Sequence, residues 1–154
     1  MGIFSFLRKP KEFFSVQEKE KIVNAISTAE KETSGEIRIY VESHNSMVNV
    51  MDRASEIFLT LQMQNTAHRN GVLLYIAMKD KELALFGDEG IYKTVGEEYW
   101  NNAVKMMIAQ FSNQNITSGI VQCIGEIGNT LKEKFPFDPT IDINELPNDI
   151  AFGK

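Results

Sequence analysis

Along this chain the apolar residues alternate between a helical spacing and a strand spacing. Ser15 followed three residues later by Glu18 is a capping-box pattern, in which each side chain bonds the other's backbone N–H at a helix start. Ile22, Ala25, Ile26 and Ala29 then recur at helical spacing, and Ser34-Gly35 ends the run. From Glu36 to Glu42 the period drops to two. Ile37, Ile39 and Val41 face one way, and Glu36, Arg38, Tyr40 and Glu42 the other, as in a strand with one apolar and one polar face. A second helix carries Met47, Met51, Ala54, Phe58 and Leu61 on one side.

Gly71 introduces the unbroken apolar run Val72 to Met78, which suits a strand covered by helices on both faces. Lys79-Asp-Lys-Glu82 turns the chain and Leu83 to Phe86 returns it. Two helices follow. The first carries Tyr99, Trp100, Ala103, Val104, Met107, Ile108 and Phe111, the second Ile120, Val121, Ile124, Ile127 and Leu131, with Gly125 and Gly128 placed for close backbone approach. Three prolines from Pro136 to Pro147 forbid further helix, so the chain closes in an extended tail whose Phe135, Phe137, Ile141, Leu146 and Ile150 pack along the domain.

The element order predicts an α/β fold, a three-layer α-β-α sandwich around a mixed sheet. A helical crossover makes the first two strands parallel, and the short turn makes the third antiparallel to the second. Gly90 to Val95 and the tail are the two places for a short fourth strand. The 154 residues suit one domain, read as a flexible segment 1–12 followed by a single domain 13–152 that includes the tail.

Charge and cysteine content narrow the chemistry. A net charge of −5 repels phosphate backbones, which argues against nucleic-acid binding. The single cysteine, Cys123, cannot form an internal disulfide, falls in an apolar helix and reads as a buried thiol. The apolar stretch Ile3 to Leu7 is too short for a signal-peptide core and is followed, not preceded, by Arg8 and Lys9. Together these predict a cytoplasmic monomer without stable membrane insertion. Phe4, Phe6 and Arg8 remain as a weak contact for a partner or membrane surface. No phosphate loop, dinucleotide fingerprint or thiol-phosphatase pattern occurs, and His44 reads as a solvated loop residue.

The topology also makes a geometric prediction. The start of the first strand, the start of the second and the end of the reversed third share one edge of the sheet. Ser34-Gly35-Glu36, Thr66-Ala-His-Arg-Asn70 and Gly87-Asp-Glu-Gly90 therefore converge, bringing three carboxylates, two hydroxyls, an amide and an arginine together. Hard oxygen donors on loops suit Ca²⁺ or Mg²⁺. The same residues also read as ordinary turns, with Glu36 and Arg69 as an ion pair. Asp142-Ile-Asn144 begins like a calcium loop and fails at Pro147, where the turn needs glycine.

Thr33-Ser-Gly-Glu-Ile-Arg38, Thr66 to Tyr75, Phe86-Gly-Asp-Glu-Gly-Ile91, Tyr99-Trp100 and Asn144 to Ile150, taken in order, resemble the TPM-domain family over nearly the whole chain. The resemblance implies a sandwich with about four strands and divalent-cation binding, with an acid phosphatase activity proposed for a plant branch. Relatives include thylakoid-lumen proteins tied to photosystem II repair and membrane-anchored bacterial proteins. Read as having neither an export signal nor an anchor, this chain is expected to depart from many of them.

Family pattern and topology meet on Glu36 and Asp88 as metal ligands, with Asn70 and Glu89 next; Asp138 and Asp142 join if the tail folds back. Arg69 is placed to fix loop geometry or meet a ligand's phosphate. The leading expectation is a non-catalytic Ca²⁺ or Mg²⁺ module whose ordered loops a protein partner could read. A metal-assisted phosphatase with Asp88 or Glu89 as base is the alternative, and a metal-independent interaction domain the third.

Overall fold

The computed structural model describes residues 13–111, 115–139 and 149–153. Helix α1 (Val16–Glu30) leads to strand β1 (Glu36–Glu42), helix α2 (Val50–Thr60), and strands β2 (Gly71–Ala77) and β3 (Glu82–Gly87). Helices α3 (Glu89–Val95), α4 (Glu97–Phe111) and α5 (Ile116–Lys134) follow, and strand β4 (Ala151–Phe152) ends the described chain. Ser15 caps α1 through the complete reciprocal box with Glu18. Asn49, Asp88 and Asn115 cap α2, α3 and α5, each side-chain oxygen accepting from a first-turn N–H that has no helical partner.

The sheet order is β3-β2-β1-β4. β1 pairs in parallel with β2 and with β4, and β2 pairs antiparallel with β3. Ile37, Ile39, Val41, Val72, Leu74 and Ile76 pack under α1, α4 and α5 with Ile22, Ile26, Trp100, Ile124 and Ile127. Leu73, Tyr75, Ala77 and Ala84 pack on the opposite face against Ala54, Ile57 and Phe58 of α2. Helices thus cover both faces, and every residue of β2 is buried.

Several expectations need correction. Gly90 to Val95 belongs to the helix α3, and the fourth strand lies in the tail. The nominally polar face of β1 buries Glu36 and Glu42, because the third layer covers it as well. Tyr99 points outward while its neighbour Trp100 is buried. Gly128 does allow close packing, since a Cβ there would lie 2.8 Å from that of Ala29, whereas Gly125 faces open space. Of the tail residues expected to pack, Phe135 and Ile150 are buried and Phe137 is exposed. Ile141, Leu146, Asp142 and the whole segment 1–12 lie outside the described residues.

Candidate functional site

The parallel register sets Glu36 opposite Gly71, and the antiparallel register sets Val72 opposite Gly87. The ends of three strands therefore meet, and backbone bonds stitch their loops together. Glu36 N–H donates to the Asn70 carbonyl (3.4 Å), Asp88 N–H to the Gly71 carbonyl (2.9 Å) and Gly90 N–H to the Arg69 carbonyl (2.9 Å). Gly90 is obligatory at this seam: a Cβ would lie 2.1 Å from the His68 carbonyl oxygen and 2.6 Å from that of Arg69. Arg69 itself adopts a left-handed backbone conformation, φ 51°.

That backbone aims the Arg69 side chain at the α3 N-terminus. Its Nε and Nη2 donate to Asp88 Oδ2 (2.7 Å) and Oδ1 (2.9 Å), and its Nη1 donates to Glu89 Oε1 (3.1 Å). Asp88 is 4% exposed and its Oδ1 also accepts from Glu89 N–H (2.7 Å). The carboxylate is thus shared between a helix cap and a two-pronged arginine. Hydrogen bonding to Asp88 holds the guanidinium above its ordinary range, with burial opposing. All three Arg69 nitrogens are engaged within the chain, so a phosphoryl group would meet an arginine already bonded. Arg69 fixes loop geometry, as one of the sequence readings had it, and does so through Asp88 and Glu89.

Asn70 is fully buried, at 0% exposure. Its N–H donates to Thr66 Oγ1 and its Nδ2 to Ser34 Oγ, both at 3.3 Å. Its Oδ1 is buried and has no hydrogen-bond partner. A buried carbonyl oxygen left in that state costs about 1–3 kcal/mol, so its retention calls for an explanation. Ser34 is anchored in turn, its N–H donating to the Phe135 carbonyl (2.9 Å), to which Thr33 Oγ1 also donates. A bridge between Thr33 and Pro136 brings the beginning of the tail to this end of the sheet.

Of the residues singled out in the sequence, Glu36 (2% exposed), Asn70 and Asp88 are buried at one sheet end, and Glu89 is exposed beside them. Asp138 is half-buried, two residues past the Thr33–Pro136 bridge. Asp142 lies outside the described residues. Carboxylates, an amide oxygen and a hydroxyl fit a hard cation in kind. Among the described residues, no three His, Cys, Asp or Glu side chains form a group that could hold a metal ion.

The opposite sheet end holds a cluster that the sequence reading passed over. Glu42 receives Arg53 Nε and Nη2 on its two oxygens, each at 2.8 Å, and the Tyr75 hydroxyl donates to Oε2. Tyr75 stood inside an apolar run, and nothing in its spacing marked the hydroxyl as paired. Nearby, His44 is exposed and hydrogen-bonded to Asp80 at 2.9 Å.

A model of the TPM domain matches residues 7–130. The chain belongs to the TPM-domain family. This TPM domain is also similar to the BA42 protein of the psychrophilic bacterium Bizionia argentinensis, solved by NMR. The two are 41% identical, the match covers 94% of this chain and 99% of that one, and the TM-score is 0.83. No curated protein matches this TPM domain. Among its described residues no helix is long and apolar enough to cross a membrane.

Proposed function

We propose that this TPM domain binds a partly hydrated divalent cation, Ca²⁺ or Mg²⁺, at the sheet end formed by Glu36, Asn70 and Asp88, and that it does so without catalysis. The observation that carries this reading is the buried, unpartnered Asn70 Oδ1, an amide carbonyl of the kind such ions take. Mg²⁺ commonly keeps several waters and takes one or two protein carboxylates, which suits a site with few acidic groups. Without the ion, the Arg69 guanidinium supplies the positive charge that Asp88 requires. With it, Arg69 would release Asp88 and turn outward from a position that is already 42% exposed. The 66–70 loop and the α3 N-terminus would then present a different surface to a protein partner, and ion concentration would set which surface prevails.

Chelator-stripped protein titrated with Ca²⁺, and separately with Mg²⁺, tests this by amide NMR. Saturable shifts are expected at Gly35–Glu36, Arg69–Asn70 and Gly87–Gly90. Stability should rise by about 2.7 kcal/mol at a hundredfold excess over Kd. Asn70→Ala should remove the response and keep the fold. Flat spectra with both ions overturn the reading.

A further inference from the structure

Helices α1 and α5 run side by side in the same direction. Thr117 Oγ1 donates to Glu18 Oε2 (2.7 Å) near their starts, a Cβ on Gly128 would lie 2.8 Å from that of Ala29, and Lys132 pairs with Glu32 at 3.6 Å near their ends. Ile22, Ile26, Ile124 and Ile127 turn inward to the sheet. On the outer side the two helices enclose a groove of about 540 Å³. Its apolar wall is made by half-buried Ala25, Ala29 and Val121, and exposed Gly125 leaves it wide, since a Cβ there would meet nothing within 4 Å. A second recess of about 360 Å³, at Glu18 and Thr117, shares Lys21 and Val121 with it, so the groove opens beside the start of α1. Lys21 and Glu32 are the charged side chains of the groove lining, and their signs cancel.

We propose that residues 3–7 of this chain, Ile-Phe-Ser-Phe-Leu, fold back along α1 and dock in this groove. Chemistry, reach and tethering select this occupant. Ile3, Phe4, Phe6 and Leu7 supply large apolar side chains with no charge among them, as an apolar groove of cancelling charge requires. Arg8, Lys9 and Lys11 then fall in the turn back, where their charges stay in water. Six residues of chain between Leu7 and Phe13 span up to about 20 Å. Lys21, at the groove mouth, lies only about 8 Å along α1 from Val16. Because the segment joins the domain at Phe13, which packs on the core, its effective concentration is on the order of millimolar. Contacts too weak to hold a separate peptide therefore suffice. Residues 140–148 are less suited, since they carry Asp142 and Glu145 and are joined at both ends to the β1 side, by the Thr33–Pro136 bridge and by β4. Any other apolar partner of this surface has to displace the docked segment. The proposal stands apart from the cation reading, and its test uses no ion.

A nitroxide attached through Gly2→Cys, in the full ¹⁵N-enriched chain, reports the docking; Cys123 is buried and stays unmodified in the folded protein. Amide signals of Thr28, Gly125 and Asn129 should lose roughly half or more of their intensity, as a mainly docked segment requires. Those of Asp52 and Glu56 on α2, across the sheet, should keep theirs. Replacing the apolar anchors together, Phe4→Ser with Phe6→Ser, should restore the lost signals. Gly125→Leu fills the groove from its open wall and replaces glycine by a better helix former, so the fold should persist while the signals again return. Absence of broadening overturns the proposal, as does broadening that survives both variants. It is also overturned by equal broadening when nitroxide-bearing protein without ¹⁵N is mixed with unmodified ¹⁵N protein, because a second copy would then supply the segment.

Discussion

Each end of the β1–β2 pair buries a carboxylate under a two-pronged arginine, yet the two arrangements differ in how completely they are closed. At the Glu42 end the arginine is itself largely covered, with Arg53 15% exposed, and the Tyr75 hydroxyl supplies a third donor. Burial works against the Glu42 charge, but the hydrogen bonds from Arg53 and Tyr75 outweigh it and hold the carboxyl below its ordinary range. The same contacts act on the partners: bonding to Glu42 raises Arg53, and burial followed by Glu42 raises Tyr75. At the Asp88 end the arginine is open to solvent and a neighbouring amide oxygen has no partner. Both partners of the first pair are largely covered, whereas at the second only the carboxylate is. Two-pronged pairing is therefore common to both ends, and exposure of the arginine is what differs between them.

The sharpest way to break the comparison is to remove each arginine in turn. Arg53→Met leaves the Glu42 charge buried and unpaired and should cost about 3–5 kcal/mol in urea unfolding. Arg69→Met leaves Asp88 equally buried but still bonded by the Glu89 N–H, so it should cost somewhat less, and it should tighten divalent-cation binding, because the internal competitor is gone. Equal losses of stability in the two variants would erase the distinction. Gly90→Ala comes next, at about 2–3 kcal/mol, because the added methyl meets backbone carbonyls that cannot swing aside. Its thermal melt should show the near end's dependence on the 68–90 seam.

The smallest effect is in the pH dependence. Glu42 has a folded pKa below its unfolded value of 4.5, so its contribution is fully present above about pH 4.5. That contribution is lost as pH falls through the lower folded value. Glu42→Gln should flatten this part of the stability profile, measured by denaturant unfolding from pH 6 to pH 3, and leave the region above it unchanged.

Much of the fold was legible because period and capping are local. The Ser15–Glu18 box, the alternation in β1, the apolar run of β2 and the charged turn before β3 each carry their own signal, and the strand directions follow from connection length alone. The convergence of Glu36, Asn70 and Asp88 was legible for the same reason. Segment 89–95 was harder to read, since Gly90, Tyr92, Thr94 and Val95 mix strand and helix preferences and the deciding event is Asp88 capping the turn. The partner of Arg69 was not legible either. It depends on a left-handed backbone at Arg69 and on the 2.9 Å bond from Gly90 N–H to the Arg69 carbonyl, neither of which has a signature in spacing. Tyr75 and Arg53 were hidden because a tertiary contact, and not the local period, brings them to Glu42.

Cys123 has a practical consequence. It is the only cysteine of the chain, buried on α5, and burial together with Glu126 pushes its thiol up to about 12. A thiol of that kind is protected twice, by the absence of thiolate and by the packing around it. Reaction with an aromatic disulfide reagent then proceeds only during the moments when α5 lifts from the sheet. Where reclosing is faster than labelling, the observed rate is the opening equilibrium constant multiplied by the rate for a free thiol. The chain thus carries a native chemical clock for its own opening, readable by absorbance in unlabelled protein and without denaturant.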